Sequence, residues 1–344
     1  MRRARVELHE VSDLIPLARA ARRSAQASPK SLATLSFLAH LEDECLQLSE
    51  ELKAGIYRPL PFHSFLISDP KPRQICAAPF RDRVVHHSLC AALSERFERY
   101  AHPHSYACRV GKGTHAALDR AQRLIRGSTW ALKLDVHHFF ERAQHDYILG
   151  LIERLIKGRE VIQLCETLIR HAPPSCVPGR GLPIGNLTSQ HFANLYLGPL
   201  DHYITSTLGI SGYVRYMDDL LIVSDDRERL LALEQEVSVF VRACGLTLKP
   251  KARQLCLTQD GVPFLGVRLW AHHRRLDQAR RRRLHRKLKR LSQLAPQLMS
   301  TQEGQLILQD QLTATWGWAS KGGGEALFAS WLKRRDLGSL FEPL

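Results

Sequence analysis

Tyr216-Met217-Asp218-Asp219 lies between two short runs of strand composition, Ser211 to Tyr216 and Leu220 to Ser224. Two such runs joined by so short an insert predict a hairpin, and its turn lifts both acids clear of the sheet. Adjacent carboxylates in that position suit hard Mg²⁺, which takes oxygen ligands from a few carboxylates plus substrate phosphates. A solvated Asp-Asp turn is the plain alternative, because Asp favours turns on its own account. A third acid decides between them, and Asp135 supplies it. It ends Trp130-Ala131-Leu132-Lys133-Leu134-Asp135, which alternates as a half-buried strand does. Phe139 and Phe140 follow, then a helical stretch with Tyr147, Ile148, Leu151, Ile152 and Leu155. An acid at a strand's carboxyl end beside an acid pair on a hairpin is what two-metal phosphoryl transfer requires. One ion serves the attacking hydroxyl and the other the leaving oxygen.

At these residues the sequence resembles the reverse transcriptases. Tyr216-Met217-Asp218-Asp219 resembles their motif C, and Leu132-Lys133-Leu134-Asp135 with Phe139-Phe140 resembles motif A. Gly181-Leu182-Pro183-Ile184-Gly185-Asn186-Leu187-Thr188-Ser189-Gln190 resembles motif B. Phe264-Leu265-Gly266, after Leu246-Thr247-Leu248-Lys249, resembles the primer grip after motif D. Most of the family carries Gln and Pro where this chain has Ile184 and Gln190. The Ile and Ser-Gln form resembles the enzymes of diversity-generating retroelements, as do Arg73 to Val84 and Ser105 to His115.

The resemblance implies an α+β right-hand polymerase fold. Residues 1–127 would form N-terminal helices and fingers. Residues 128–270 would form a palm, an antiparallel sheet with helices on one face, and 271–344 a basic helical thumb. It implies RNA-directed DNA synthesis with two Mg²⁺ held by Asp135, Asp218 and Asp219, and a backbone carbonyl from Val136. Phe140 falls where the family places the steric gate against a 2′-hydroxyl. Arg73 falls on the triphosphate clamp, and Ile184, Gly185 and Gln190 lie beside the nascent pair. Lys71 would assist Arg73, and Lys249 or Lys251 would protonate pyrophosphate or simply face water. The implied partners are a template RNA, complementary DNA or its primer, deoxynucleoside triphosphates and a small basic oligomeric accessory protein, with error-prone copying of template adenines. The rival readings are a reverse transcriptase of phage defence or of a group II intron, and a catalytically silent RNA-binding scaffold. The intron reading expects an endonuclease module, and none follows Leu344.

The charge pattern points the same way. Net charge is +15 and the pI about 9.7, which suits a polyanionic partner. From Arg268 to Arg290 there are 11 Lys or Arg against Asp277 alone, with Leu276, Leu284, Leu288 and Leu291 at near-helical spacing. That predicts a basic helix with one buried stripe. Like charges at such spacing repel, and a phosphate backbone would relieve them, so Arg280, Arg281, Arg282 and Arg283 are candidate nucleic-acid contacts. A solvated charged face is the alternative. Trp316, Trp318, Phe328 and Trp331 pack the last helices or stack bases. Arg81 and Arg83 pair with Asp82 and Glu95 or touch template phosphate. Gly111-Lys112-Gly113-Thr114 lacks the full phosphate-loop pattern and reads as a backbone turn.

Residues about 36 to 53 are spaced as one amphipathic helix closed by Gly55, and a hairpin is predicted around Asp69-Pro70-Lys71-Pro72. The eight cysteines show no metal-site spacing, and the histidines form no metal cluster. Reduced thiols, a start without a signal-peptide core and no apolar run of about 18 residues predict a cytoplasmic protein with no membrane span.

Overall fold

The computed structural model describes residues 3–68, 72–173, 175–250 and 253–334. The chain opens with β1 (Ala4–Arg5), α1 (His9–Ser12), α2 (Leu14–Ala25), α3 (Leu32–Ala39) and α4 (Leu41–Lys53). The single helix expected over about 36–53 is thus two, broken at His40, whose backbone leaves the helical region at φ −118°, ψ 36°. Leu38, Leu41, Cys45, Leu48 and Leu52 keep their apolar spacing across the break, so periodicity alone does not reveal it. Gly55 closes α4 as expected. At φ 69° it lets the Ile56 amide reach the Glu51 carbonyl at 3.0 Å, which satisfies an end carbonyl of the helix.

The hairpin β2 (His63–Ile67) and β3 (Arg73–Ala77) pairs Ile67 with Arg73. Its turn, with Lys71, lies outside the described residues, as does Lys251. Next come α5 (Phe80–Tyr100), α6 (Thr114–Arg126), β4 (Trp130–Asp135), α7 (Phe139–Arg142), α8 (His145–Leu155), β5 (Ile156–Lys157), α9 (Arg159–Arg170) and α10 (Leu187–His202). The remaining elements are β6 (Tyr213–Tyr216), β7 (Asp219–Ser224), α11 (Arg227–Ala243), β8 (Gln254–Leu257), β9 (Val262–Phe264), β10 (Val267–Leu269) and β11 (Arg274–Leu276), then α12 (Gln278–Leu298), α13 (Gln302–Ala319) and α14 (Glu325–Lys333).

An antiparallel sheet of order β6-β7-β4-β8 is the centre of the molecule. Alternation decides its packing. Leu132, Leu134, Tyr213, Leu220 and Ile222 share a core with Ile152 of α8, Phe192 of α10 and Leu233 of α11, the expected helical face of a palm. That core runs on without interruption to Leu17, Leu48 and Leu89 of the N-terminal helices. The opposite face is covered too. Ala131, Val214, Leu221 and Val223 meet Ala117, Leu118, Ala121 and Ile125 of α6, with Phe264 and Val267 from the small β9–β11 sheet. The α6 helix precedes the expected boundary at 127/128, yet its small and apolar stripe fits the palm.

The last three helices form their own core around Leu284, Leu288, Leu291, Leu308, Leu312 and Phe328. Leu276 belongs to β11 rather than to the basic helix, which starts after Asp277 accepts the Arg280 amide as a cap at 2.7 Å. Trp316 and Trp331 pack against Phe328, which answers the packing-or-stacking alternative for these three rings. The side chain of Trp318 lies outside the described set.

Candidate active site

Strand register gathers the acids. Asp135 stands directly opposite Asp219 across β4 and β7, and Tyr216 opposes Asp219 across β6 and β7. Met217 and Asp218 therefore form a two-residue hairpin loop at the same sheet end as Asp135. The Asp218 carboxyl is pushed up to about 6, first by burial and then by the charges of Asp219 and Asp135. The Arg73 guanidinium pulls it the other way, which places the fingers strand within electrostatic reach of the acids. Val136, expected to offer its carbonyl to a metal, is buried, and its amide donates to the Asp218 carbonyl at 3.2 Å.

Lys133 was not expected here. Its Nζ stands 3.1 Å from Asp219 Oδ1. The signal was present in the sequence: residues 133 and 135 of a strand share a face. Among the described residues, no group of three or more His, Cys, Asp or Glu is gathered to hold an ion by itself. The donor set nevertheless suits a hard cation. Its oxygens are carboxylate oxygens, and the mutual repulsion that raises Asp218 is what a divalent ion would relieve. Substrate phosphates customarily complete such a shell.

The motif B segment is tied to the fingers. The Cys76 amide donates to the Ile184 carbonyl at 2.9 Å. Buried Asn186 donates to the Cys76 carbonyl and accepts from the Ala78 amide, each at 3.0 Å. Gly185 adopts φ 113°, and a Cβ there would come within 2.8 Å of Ile75 Cγ2. Its lack of a side chain thus serves a close approach to β3, where the sequence suggested room for a base pair. Gln190 is half-buried in the first turn of α10. Phe140 is half-buried, edge-on to Phe139 at 5.4 Å, and its carbonyl accepts from Leu182 at 2.6 Å.

Phe264 is buried, and Leu265 and Gly266 turn with φ 49° and 73°. Any Cβ on Gly266 would collide with the Arg280 guanidinium. Arg280 is therefore half-buried over the Leu265-Gly266 turn, whereas Arg281, Arg282 and Arg283 face solvent. Burial lowers the Arg280 pKa, and Tyr216 at the Met217-Asp218 hairpin lies within its field. Other candidates resolve as structural. Arg81 pairs with Glu51 and lies 3.9 Å from Asp82, Arg83 reaches Ser28 and stacks on Phe80, and Glu95 pairs with Arg99 instead. Lys112 donates to the Pro103 carbonyl over the Tyr106 ring, as a turn requires. The Lys249 amide donates to the Asp135 carbonyl at 2.8 Å, which sets that lysine beside motif A.

All eight cysteines are free thiols. No described helix is long and apolar enough to cross a membrane.

Comparison with known proteins agrees with this geometry. The chain is 22% identical over 283 residues to the COX1/OXI3 intron 1 protein of Saccharomyces cerevisiae, covering 65% of this chain and 34% of the relative. It is 25% identical over 175 residues to a group II intron-encoded protein of Lactococcus lactis, covering 47% and 28%. The chain thus spans about a third or less of the curated relatives' length. In fold it is similar to apo telomerase of Candida tropicalis, with a TM-score of 0.53 and 11% identity over 80% of this chain and 59% of the other. That likeness supports the right-hand polymerase fold, α+β with antiparallel sheets. The reverse transcriptase (RNA-dependent DNA polymerase) family matches residues 68–269, more than half of the chain and every one of the motifs above, so the chain belongs to that family.

Proposed function

We propose that this protein is an RNA-directed DNA polymerase that extends a 3′-hydroxyl on an RNA template with deoxynucleoside triphosphates. The observation that carries the reading is the register that sets Asp135 opposite Asp219, beside Asp218, with Arg73 in reach. Asp135 and Asp218 would hold two Mg²⁺, with Asp219 secondary because Lys133 already neutralises it. When bound, the ions supply Lewis acidity at the attacking and leaving oxygens. Arg73 offers a planar fork to the triphosphate. The Phe140 ring excludes a 2′-hydroxyl, and Ile184, Gly185 and Gln190 border the new pair. Phe264, Leu265 and Gly266 hold the primer end, and the α12 arginines hold the duplex phosphates. Primer extension on an RNA template, with deoxynucleotides and Mg²⁺, tests the reading, and a folded protein that adds no nucleotide refutes it.

The biological setting we favour is a group II intron-like element, because curated relatives are named for introns. This replaces the diversity-generating retroelement expected from Ile184 and Gln190, which the relatives named above do not support; the small accessory protein belongs with that second reading. Sequencing the RNA that copurifies separates them: intron RNA supports the first, and a repeat matching a variable target gene supports the second.

A further inference from the structure

Among the described residues, the most deeply buried ion pair lies one step behind the Met217-Asp218 turn. Arg215 on β6 and Asp201 on α10 are 1% and 0% exposed. Arg215 Nε and Nη2 donate to the two Asp201 oxygens, each at 2.6 Å. The Tyr213 hydroxyl donates to the same carboxylate at 2.5 Å. Arg215 Nη1 reaches the Asn194 side-chain oxygen at 3.3 Å and the Met217 carbonyl at 3.0 Å. Four of the five guanidinium N–H donors thus have partners, and the fork joins one helix to one peptide of the hairpin loop.

That peptide needs holding. Two-residue hairpin loops with positive φ at the first central position favour Gly there. Here the position is Met217, at φ 52°, a strained conformation for a side chain of that size. The strand behind it is fixed as well, since the Arg215 amide donates to His104 and its carbonyl accepts from Tyr106, each at 2.9 Å. The Met217–Asp218 peptide lies at the turn itself, and its carbonyl is the group that Arg215 engages.

We infer that Arg215, oriented by Asp201, is a positioning residue that holds Met217 in its strained conformation and thereby aims Asp218 at the metal. The inference rests on the proposed polymerase reading. It also couples motif B to motif C, because α10 carries Asn186 as its cap residue, then Gln190 and Asp201. Lysine cannot replace the fork: one ammonium lacks the planar geometry that serves Asp201 and the Met217 carbonyl together.

The test measures Mn²⁺ binding by the protein with a dideoxy-terminated primer on RNA and the next deoxynucleotide, alongside the melting temperature. Arg215→Lys should weaken Mn²⁺ binding about tenfold, by loss of one charge-assisted hydrogen bond. Adding Met217→Gly should recover part of that loss, because glycine needs no help at positive φ. In steady-state extension with the unblocked primer, kcat should fall while the nucleotide KM holds. Should Arg215→Lys fail to fold, Asp201→Leu with Arg215→Met decides in its place, since apolar isosteres of a buried pair are often tolerated. Parent-like Mn²⁺ binding in the variant that folds, or binding unmoved by Met217→Gly, overturns the inference. A parent that binds no Mn²⁺ refutes the metal-site reading itself.

Discussion

The palm and the thumb place arginine in opposite settings. In the palm, Arg215 is 1% exposed and its partner Asp201 is 0% exposed, so the charge is part of the packing. In α12, Arg281, Arg282 and Arg283 face solvent along a helix whose buried stripe is Leu284, Leu288 and Leu291. A buried guanidinium without its carboxylate leaves an uncompensated charge, so the palm pair stands or falls together. The thumb cations have no acid on their own helix after the Asp277 cap, so their crowding is of the kind that an external polyanion would relieve. Arg280 is intermediate, half-buried on Gly266 at the junction of the two regions. Its loss should therefore disturb the Leu265-Gly266 turn before it disturbs phosphate binding. Local charge density alone does not reveal role: the isolated palm arginine is locked into the packing behind Asp218, whereas the clustered ones lie at the surface.

The largest effect should come from the palm. Asp218→Asn keeps volume and removes a ligand charge, so DNA synthesis should fall by at least about a thousandfold. The same change should stabilise the metal-free fold. Because burial and two neighbouring acids raise the Asp218 pKa to about 6 from the usual 3.8, ionising it opposes folding. Stability from this group is fully present below its ordinary value and lost as pH rises through about 6. In EDTA at pH 8 the variant should unfold later than the parent, by up to about 2 kcal/mol, and the gap should close below pH 4. Thermal melts at the two pH values check the sign, and a parent more stable than the variant at pH 8 removes the like-charge account.

The thumb effect should be smaller and of another kind. Replacing Arg281, Arg282 and Arg283 by Ala should weaken RNA binding regardless of sequence, with each lost phosphate contact reducing the salt slope of log K by about 0.7 to 0.9. Arg280→Ala should instead lower the melting temperature with little change of slope. Salt titrations of both variants sharpen the palm–thumb contrast, and identical slopes in the triple variant and the parent would return these three residues to a merely solvated face.

Phe140 tests the contrast inside the palm, where one packed ring stands at the position proposed for selection against a 2′-hydroxyl. It is half-buried against Phe139, so Phe140→Ala should destabilise modestly and open space beside the sugar. Discrimination against ribonucleotides should drop by about tenfold. Single-nucleotide insertion with matched deoxy and ribo substrates reads this, and unchanged discrimination assigns the ring to packing alone.

Much of this was legible from order and spacing. Strand alternation found β4 and the Asp135 end, and the paired strands around Asp218 found the hairpin. The chain pattern hid what depends on partners distant in sequence. Arg215 reads as an ordinary polar residue in an apolar strand until α10 brings Asp201 to it. Lys133 reads as a solvent-facing strand residue until β7 brings Asp219 across. The break at His40 was invisible because the apolar stripe continues through it. Gly185 was read for a ligand, yet the tight contact seen is with Ile75.

The smallest expected effect belongs to Ile184, and it separates loop position from loop chemistry. The Ile184 carbonyl is fixed by the Cys76 amide at 2.9 Å, and its neighbour Asn186 is anchored at both ends of its amide. A side-chain change at 184 therefore leaves the backbone where it is. Isoleucine can neither donate nor accept, whereas glutamine can do both. A polar contact that only a well-placed nucleotide satisfies penalises misplaced ones, since an unpaired buried polar group costs about 1–3 kcal/mol. At this half-buried position only part of that penalty applies, so Ile184→Gln should lower misincorporation about threefold. Sequencing complementary DNA made by both enzymes on one adenine-rich RNA measures it. Matching error spectra would mean that Ile184 acts through packing, and that copying accuracy in this palm is set elsewhere than in motif B.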